Sequence, residues 1–278
     1  MISFENLILI TLLSPLLVCL LTPLLSSKPI LRDILGPLGG IISSWGAIQL
    51  MTSILNGEQP RLELLQIAEG ISISFVVTPL GAIFGLVASV LWIFAAIYSV
   101  GYMRGNKEKN QTRFYIFYAM AVHAALCIAY AGDLLTLFIF YEVLTFSTYP
   151  LVTHKQNEMA QKAGRLYMSI LVGTSVILLL PAIIWVWVVT GSLEMSQNGV
   201  LDGKMNPEYA PYLLAMFVFG IGKAALMPIH KWLPAAMVAP TPVSALLHAV
   251  AVVKAGVFTM LLILTNVFGI DFLSKTGA

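Results

Sequence analysis

Residues 134–152, LLTLFIFYEVLTFSTYPLV, decide the fold class of this chain. A helix needs roughly 20 predominantly apolar residues to cross a bilayer, and this stretch has that length. Its apolar residues run on without the alternation of a half-buried strand. Because unpaired backbone groups are expensive in hydrocarbon, such a run must close its own hydrogen bonds. We therefore predict a transmembrane helix here.

The rest of the chain repeats this pattern. Of its 278 residues, 59% are hydrophobic and only 10% charged, whereas a soluble domain carries about 25% charged residues. The sequence predicts an all-α integral membrane protein with about eight transmembrane helices and two parts, an N-terminal three-helix segment (1–112) and a five-helix segment (113–278). The predicted helices lie near residues 2–25, 30–55, 73–100, 114–131, 134–152, 165–190, 211–227 and 243–270.

The same composition argues against several classes of site. Cys19 and Cys127 both lie in apolar runs, and neither a CxxC pair nor a Cys/His cluster is present to bind a metal. A formal charge of +2 is too small to suggest nucleic acid, and the sequence lacks a phosphate-binding glycine motif. We expect no cofactor or metal, no nucleic-acid partner, and no redox or hydrolytic site in this chain.

Loop charges predict the orientation. Lysine and arginine predominate in loops 101–113 and 153–165, whereas acidic residues predominate in loops 56–70 and 191–209. Basic loops accumulate on the cytoplasmic side. The alternation fits an even number of helices with both termini outside.

Two ionisable residues lie deep in predicted helices, where each charge costs roughly 2.5 kcal/mol or more. Glu142 is central in the fifth helix; the alternative to a functional role is a structural ion pair. Lys223 follows an apolar run and precedes Pro228, which leaves the carbonyl of Ala224 without its helical donor. We predict that the seventh helix breaks there and that water enters beside Lys223. A nearby Glu142 would then influence whether Lys223 holds its proton.

Two further titratable residues lie in the eighth predicted helix. His248 and Lys254 are about 9 Å apart along the axis, so their staggered depths suit a relay through water. A single histidine in a membrane helix can equally serve a helix-to-helix hydrogen bond, so Lys254 is favoured over His248. His123 is interpreted as a packing residue and Asp133 as a helix cap.

Two stretches resemble a known family. Residues 223–256, KAALMPIHKWLPAAMVAPTPVSALLHAVAVVKAG, closely resemble the proton-conducting antiporter-like subunits of respiratory complex I, membrane-bound hydrogenases and Mrp-type cation/proton antiporters. Residues 131–152 resemble the fifth helix of that family, in which a glutamate follows an aromatic residue, here Tyr141 and Glu142.

The resemblance implies a five-helix antiporter repeat (helices 4–8), in which Glu142 modulates Lys223 on a broken helix 7. The next relay group would be Lys254 or His248. It also implies a second, inverted repeat, which is absent from this sequence. The implied function is an ion-translocating subunit with a proton half-channel, in an Mrp-type antiporter or in a respiratory, NADH dehydrogenase-like or hydrogenase complex.

Such a subunit would lie in a prokaryotic plasma membrane. Its partners would be the lipid bilayer and other membrane subunits, including a chain that supplies the second half-channel. It would move protons, with sodium as the alternative coupled ion. A rival interpretation is a non-conducting membrane scaffold that anchors a redox module. An independent solute carrier would need two pseudo-symmetric halves, whereas only one broken-helix motif is found.

Overall fold

A computed structural model describes residues 3–245 and 251–276. The secondary structure is almost entirely helical. The elements are α1 (Phe4–Leu24), α2 (Pro29–Leu55), β1 (Arg61–Ala68), β2 (Ile71–Val76), α3 (Pro79–Gly105), α4 (Gln111–Ala129), α5 (Leu134–Val152), α6 (Glu158–Thr174), α7 (Leu180–Thr190), α8 (Ala210–Gly220), α9 (Trp232–Ala236), α10 (Thr241–Val243), α11 (Val252–Leu262) and α12 (Ile270–Thr276). A π-helical turn at Ser175–Leu179 joins α6 to α7, and another at Ile263–Phe268 extends α11.

The structure confirms an all-α membrane architecture. Within the described residues, six spans are long and apolar enough to cross a membrane: α1 to α5, and the continuous span Glu158–Thr190. A seventh is present if Val252–Phe268 and Ile270–Thr276, bent by 80°, count as one span. Helix α8 occupies the position of the seventh predicted helix but is interrupted. The total of eight spans stays a prediction.

The segment before α3 differs from its prediction. A helix was expected over 73–100, but residues 71–76 form β2, and α3 begins at Pro79 behind the cap residue Thr78. β2 pairs antiparallel with β1, and its backbone also bonds to the end of α4 through Val76 N and Tyr130 O (2.7 Å). The alternating sequence ISISFV therefore follows strand periodicity, which a search for long apolar runs overlooks.

We call the side of the molecule with this hairpin and the loop 191–206 the acidic face. Asp133 connects these parts, because its carboxylate accepts hydrogen bonds from the backbone N–H groups of Thr136 (2.7 Å) and Ser74 (3.0 Å). The first of these bonds caps α5, as predicted. The loop 191–206 is joined to the same region by the bond from Leu134 N to Leu193 O (3.0 Å).

The opposite side, with the loops 106–110 and 153–157, is the basic face. Here Asp33 is buried between two arginines, with Arg32 Nε at 2.8 Å and Arg104 Nε at 2.7 Å from its carboxylate oxygens. Arg32 also donates to Gln111 and Thr112 at the start of α4. This network joins α2, α3 and α4 at one end of the helical bundle.

His123 has a packing role in the centre of the bundle. Its Nδ1 lies 2.8 Å from the carbonyl oxygen of Leu12, and its ring contacts Phe140 edge-on. The histidine thus links α4 to α1 and α5, which agrees with its interpretation as a packing residue.

The predicted break is present, but it starts earlier than expected. Helix α8 ends at Gly220, well before Pro228, and Lys223 lies in a short 3₁₀ turn, Gly222–Ala224. The backbone N–H of Lys223 bonds to the Tyr141 hydroxyl (3.1 Å) instead of a carbonyl of its own helix. Pro228 lies further along the interrupted segment, so it is not the residue that ends α8.

Candidate functional site

Lys223 is the centre of the candidate site. Its side chain has no solvent exposure, although lysine is almost never fully buried without a partner. The ammonium group donates to the carbonyl oxygen of Tyr141 (2.7 Å) and to Thr145 Oγ1 (2.5 Å). It also lies 3.2 Å from the centroid of the Tyr141 ring, within the range of a cation–π contact. Neutral groups of α5 therefore hold the positive charge.

Tyr141 contacts Lys223 in three ways. Its hydroxyl accepts the lysine backbone N–H, its carbonyl accepts the ammonium, and its ring faces the same nitrogen. The Thr145 hydroxyl donates to that carbonyl (3.1 Å), which leaves its lone pairs free for the ammonium. Tyr141 was identified in the sequence only as the aromatic residue before Glu142, and Thr145 was missed. Their four-residue spacing, which places both on one face of a helix, was the available signal.

Glu142 lies beside this cluster without entering it. Its carboxylate attracts the Lys223 ammonium electrostatically, but the two do not form a direct ion pair, and Glu142 is absent from the ion pairs of the described residues. Both carboxylate oxygens are buried, and neither has a hydrogen-bond partner among the described residues. Burying a charge in this way is costly unless water or a proton satisfies it. The pair is therefore close enough to interact but is not locked together.

Gly256 of α11 and Trp232 pack around the break at Lys223. Gly256 of α11 faces its backbone, and a Cβ at this position would collide with the backbone nitrogen of Ala224. Trp232 Nε1 donates to the carbonyl oxygen of Gly222 (3.0 Å), which satisfies a polar group freed by the break. Helix α11 and the segment after the break thus pack against the turn that contains Lys223.

The remaining predicted site residues are more scattered. His248 lies outside the described residues. Lys254 is exposed, two residues before Gly256 and hence on the other side of α11, so the structure does not bring its ammonium to Lys223. It lines an apolar groove of about 420 Å³ between α3 and α11, formed by Leu80, Ile83, Phe84, Val87, Leu91, Val257, Phe258 and Leu261. Pro228 is exposed in the interrupted segment.

A histidine that sequence reasoning did not single out lies at the basic face. The side chain of His154 is 1% exposed, and its Nε2 is 4.0 Å from Glu108 Oε2. Both ring nitrogens lack a hydrogen-bond partner among the described residues. Burial lowers the pKa of His154 below its ordinary value, and the charges of Arg113 and Lys155 lower it further, while Glu108 opposes them.

Comparison with known sequences identifies the region that contains this site. Residues 131–274 match the family described as "NADH:quinone oxidoreductase/Mrp antiporter, TM". Residues 65–115 match "NADH-Ubiquinone oxidoreductase (complex I), chain 5 N-terminus". The first match contains Tyr141, Glu142, Thr145 and Lys223.

Curated relatives carry the name antiporter subunit mnhA2. The protein of Staphylococcus haemolyticus is 25% identical over 247 residues, which are 88% of this chain and 31% of the relative. That of Staphylococcus aureus MRSA252 is 30% identical over 184 residues, which are 66% of this chain and 23% of the relative. The chain thus spans less than a third of the length of these relatives.

Solved structures share the fold. A chain of the membrane-bound sulfane sulfur reductase, an archaeal respiratory membrane complex, superposes with a TM-score of 0.80 at 22% identity, over 91% of this chain and 52% of its own length. A chain of the Mrp complex from Dietzia sp. DQ12-45-1b superposes with a TM-score of 0.78 at 22% identity, over 91% of this chain and 27% of its own length. Since the family match over 131–274 covers more than half of the sequence and includes the buried lysine with its α5 partners, the chain belongs to the NADH:quinone oxidoreductase/Mrp antiporter family of membrane subunits.

Proposed function

We propose that this chain carries a proton half-channel of a multisubunit Mrp-type antiporter or respiratory complex, in which Lys223 takes up and releases the proton. The observation that carries this proposal is the fully buried ammonium held by neutral oxygens and an aromatic ring. A purely structural lysine at this depth would be expected to pair directly with a carboxylate. Here the charge can be gained or lost without breaking an ion pair.

Glu142 is the gate in this proposal. When its carboxylate is charged, it favours the protonated form of Lys223, and when it is neutralised or turned away, that support is lost. Neither of its two buried oxygens has a hydrogen-bond partner within residues 3–245 and 251–276, and this supports the role, because a carboxylate without hydrogen bonds can accept a proton or a different partner.

The onward step in this proposal passes to Lys254 of α11 or to His248. Lys254 lies in an apolar groove on the outside of the described bundle, where contact with lipid would cost roughly 2.5–3.5 kcal/mol. We infer that another polytopic subunit covers this groove and contributes the second half-channel. Protons are the transported ion, with sodium as the alternative coupled ion.

The proposed setting is the plasma membrane of a prokaryotic cell. The basic face, which carries Lys107, Lys109 and Arg113 in and beside its first loop, would lie in the cytoplasm. The acidic face and both termini would lie outside. Labelling of single cysteines introduced on the two faces, with a membrane-impermeant reagent on intact cells, tests this orientation.

Substitutions in the complete assembly test the half-channel. We expect Lys223→Ala and Glu142→Gln to abolish or strongly reduce proton flux in proteoliposomes while the assembly stays intact, and Glu142→Asp to retain more flux than Glu142→Gln. Lys162→Ala, which removes an exposed lysine of α6, is the control. Normal flux with impaired assembly in the Lys223 variant would favour the rival function, a non-conducting membrane scaffold.

The partner requirement needs a separate experiment. The chain reconstituted alone as a monomer should carry protons far more slowly than the purified assembly, because half a pathway strands the proton in the membrane. Detergent extraction of the native membrane should recover the chain together with another polytopic subunit. Equal rates for the single chain and the assembly would contradict the half-channel.

A further inference from the structure

We propose that protons reach Lys223 from the basic face through a hydroxyl relay formed by Tyr167 of α6 and Thr148 of α5. This inference rests on the proposed function, because it describes how Lys223 is loaded. It assigns a role to two residues that neither the family resemblance nor the buried charges single out.

The two hydroxyls form a short contact inside the bundle. Thr148 Oγ1 lies 2.5 Å from Tyr167 OH, and both side chains are buried. Thr148 also bonds to the carbonyl oxygens of Leu144 (2.8 Å) and Thr145 (3.0 Å) in its own helix. Since a hydroxyl has only one proton to donate and Thr148 directs it to its helix, Tyr167 is the donor in the resting arrangement.

The ring of Tyr167 is held in place by the segment after the break. It contacts the Trp232 ring edge-on, with centroids 5.4 Å apart. The same tryptophan bonds to the carbonyl of Gly222, next to Lys223. The tyrosine hydroxyl is therefore positioned relative to the lysine through one shared neighbour.

The relay continues to Lys223 along one face of α5. Thr145, which accepts the ammonium at 2.5 Å, is three residues before Thr148. Side chains at this spacing are neighbours on a helix, with Cβ atoms about 5–6 Å apart. Hydroxyl groups on neighbouring side chains of this kind can be bridged by a single water molecule.

At its other end the relay approaches a polar recess on the basic face. This recess, of about 330 Å³, is lined by Tyr149 and Thr153 of the α5 end, Gln156 of the following loop, and Gln161 and Arg165 of α6. Tyr149 follows Thr148 directly, and Arg165 is two residues before Tyr167. The recess and the hydroxyl pair therefore lie at similar depth along α5 and α6. Because side chains one or two residues apart point to different sides of a helix, water must connect the recess to the Tyr167 hydroxyl.

A hydronium ion in the water that connects the recess to Tyr167 gives a proton to the Tyr167 oxygen while Tyr167 passes its own hydroxyl proton to Thr148. Thr148 passes its proton to the bridging water, and that water gives one proton to the neutral amine of Lys223. Each hydroxyl and the bridging water keep their number of protons, while the hydronium becomes water and the amine becomes an ammonium.

Variants in the complete assembly test the relay. Tyr167→Phe removes a hydroxyl, and Thr148→Val replaces one with a methyl group of similar size. We expect each to slow proton flux by at least about tenfold, since a positioned proton-transfer group contributes about 10²–10⁴-fold in rate. Thr148→Ser restores the hydroxyl and should restore the flux. A relay changes the rate of proton transfer to Lys223 and not the protonation equilibrium of Lys223. The midpoint of the pH dependence of proton flux should therefore stay at its wild-type value.

The control is Tyr130→Phe, which removes another buried hydroxyl, at the end of α4, and should leave the flux unchanged. If Lys223→Ala abolishes flux but Tyr167→Phe and Thr148→Val match the wild type, the relay is wrong and the half-channel stands. Equal losses of proton flux in Thr148→Val and Thr148→Ser, or a shifted midpoint of its pH dependence, would show that these residues serve packing and would overturn the relay. Normal flux in Lys223→Ala would instead refute the proposed function itself.

Discussion

The substitution Thr145→Val tests how α5 holds the charge of Lys223. The threonine hydroxyl accepts the ammonium at 2.5 Å and donates to the carbonyl oxygen of Tyr141 in its own helix. Valine has nearly the same shape, so the change removes the hydroxyl and leaves the packing of this fully buried position intact. The ammonium keeps the Tyr141 carbonyl at 2.7 Å and the aromatic ring.

The size of the effect follows from the charge on the donor. A hydrogen bond to a charged group contributes about 1.5–3 kcal/mol, and 1.36 kcal/mol corresponds to one pH unit in a protonation equilibrium. Thr145→Val removes a hydrogen-bond acceptor from Lys223, and this loss destabilises the charged ammonium more than the neutral amine. We therefore expect the midpoint of the pH dependence of proton flux to move toward acid by about one to two pH units.

The assay is proton flux in proteoliposomes that contain the purified assembly, recorded across a pH series with equal protein incorporated. Thr22→Val is the matched control, because the Thr22 hydroxyl is equally buried and, in the part of the chain that the structure describes, bonds only to Val18 O of its own helix (2.6 Å). An unchanged or more alkaline midpoint in Thr145→Val would refute the reasoning that this hydroxyl stabilises the protonated lysine.

Three further predictions concern packing and stability. Gly256→Ala places a methyl group against the backbone of Ala224 and should lower the free energy of unfolding by about 1–3 kcal/mol. We expect a lower Tm in detergent and a lower proton flux. Gly101→Ala is the control, because position 101 faces open space, and it should leave the Tm and the flux near the wild type. Asp33→Asn leaves the two flanking arginines without their counter-charge and should cost about 3 kcal/mol of unfolding free energy. His154→Gln should reduce the loss of Tm on mild acidification, because the unfolded histidine binds a proton more readily than the buried one.

Each of these has an outcome that contradicts it. A wild-type Tm in Gly256→Ala would mean that α11 does not approach the break as closely as described. Unchanged stability in Asp33→Asn would show that solvent already compensates the half-exposed Arg104. For His154 the direction of the pH effect is the test. Burial lowers the pKa of His154 in the folded protein, so stability should fall as the pH drops below the unfolded pKa of about 6.5. A rise in stability over that pH range would exclude burial as the cause.

Much of the fold could be predicted from the sequence because the requirements of a membrane helix are local. Lipid offers no partner to backbone groups, so each long apolar run must become a helix whatever its neighbours are. The predicted helix 134–152 coincides with α5 for this reason. The cost of a charge in hydrocarbon is also local, which is why Glu142 and Lys223 were found without knowledge of the packing. The hairpin before α3 was missed because a short strand is defined by the chain beside it.

The organisation of the site depended on tertiary structure. Which face of a helix meets another helix is decided by packing, and an apolar sequence suited to lipid on all sides does not reveal it. Thus α8 ends at Gly220, where Tyr141 of α5 takes over the backbone N–H of Lys223, and Pro228 alone predicted a later break. Lys254 likewise lies on the outer side of α11, because Gly256 occupies the face against the break. The sequence by itself determined that charges are buried in a helical membrane protein; the packing of α5 and α11 against the break determined which groups surround them.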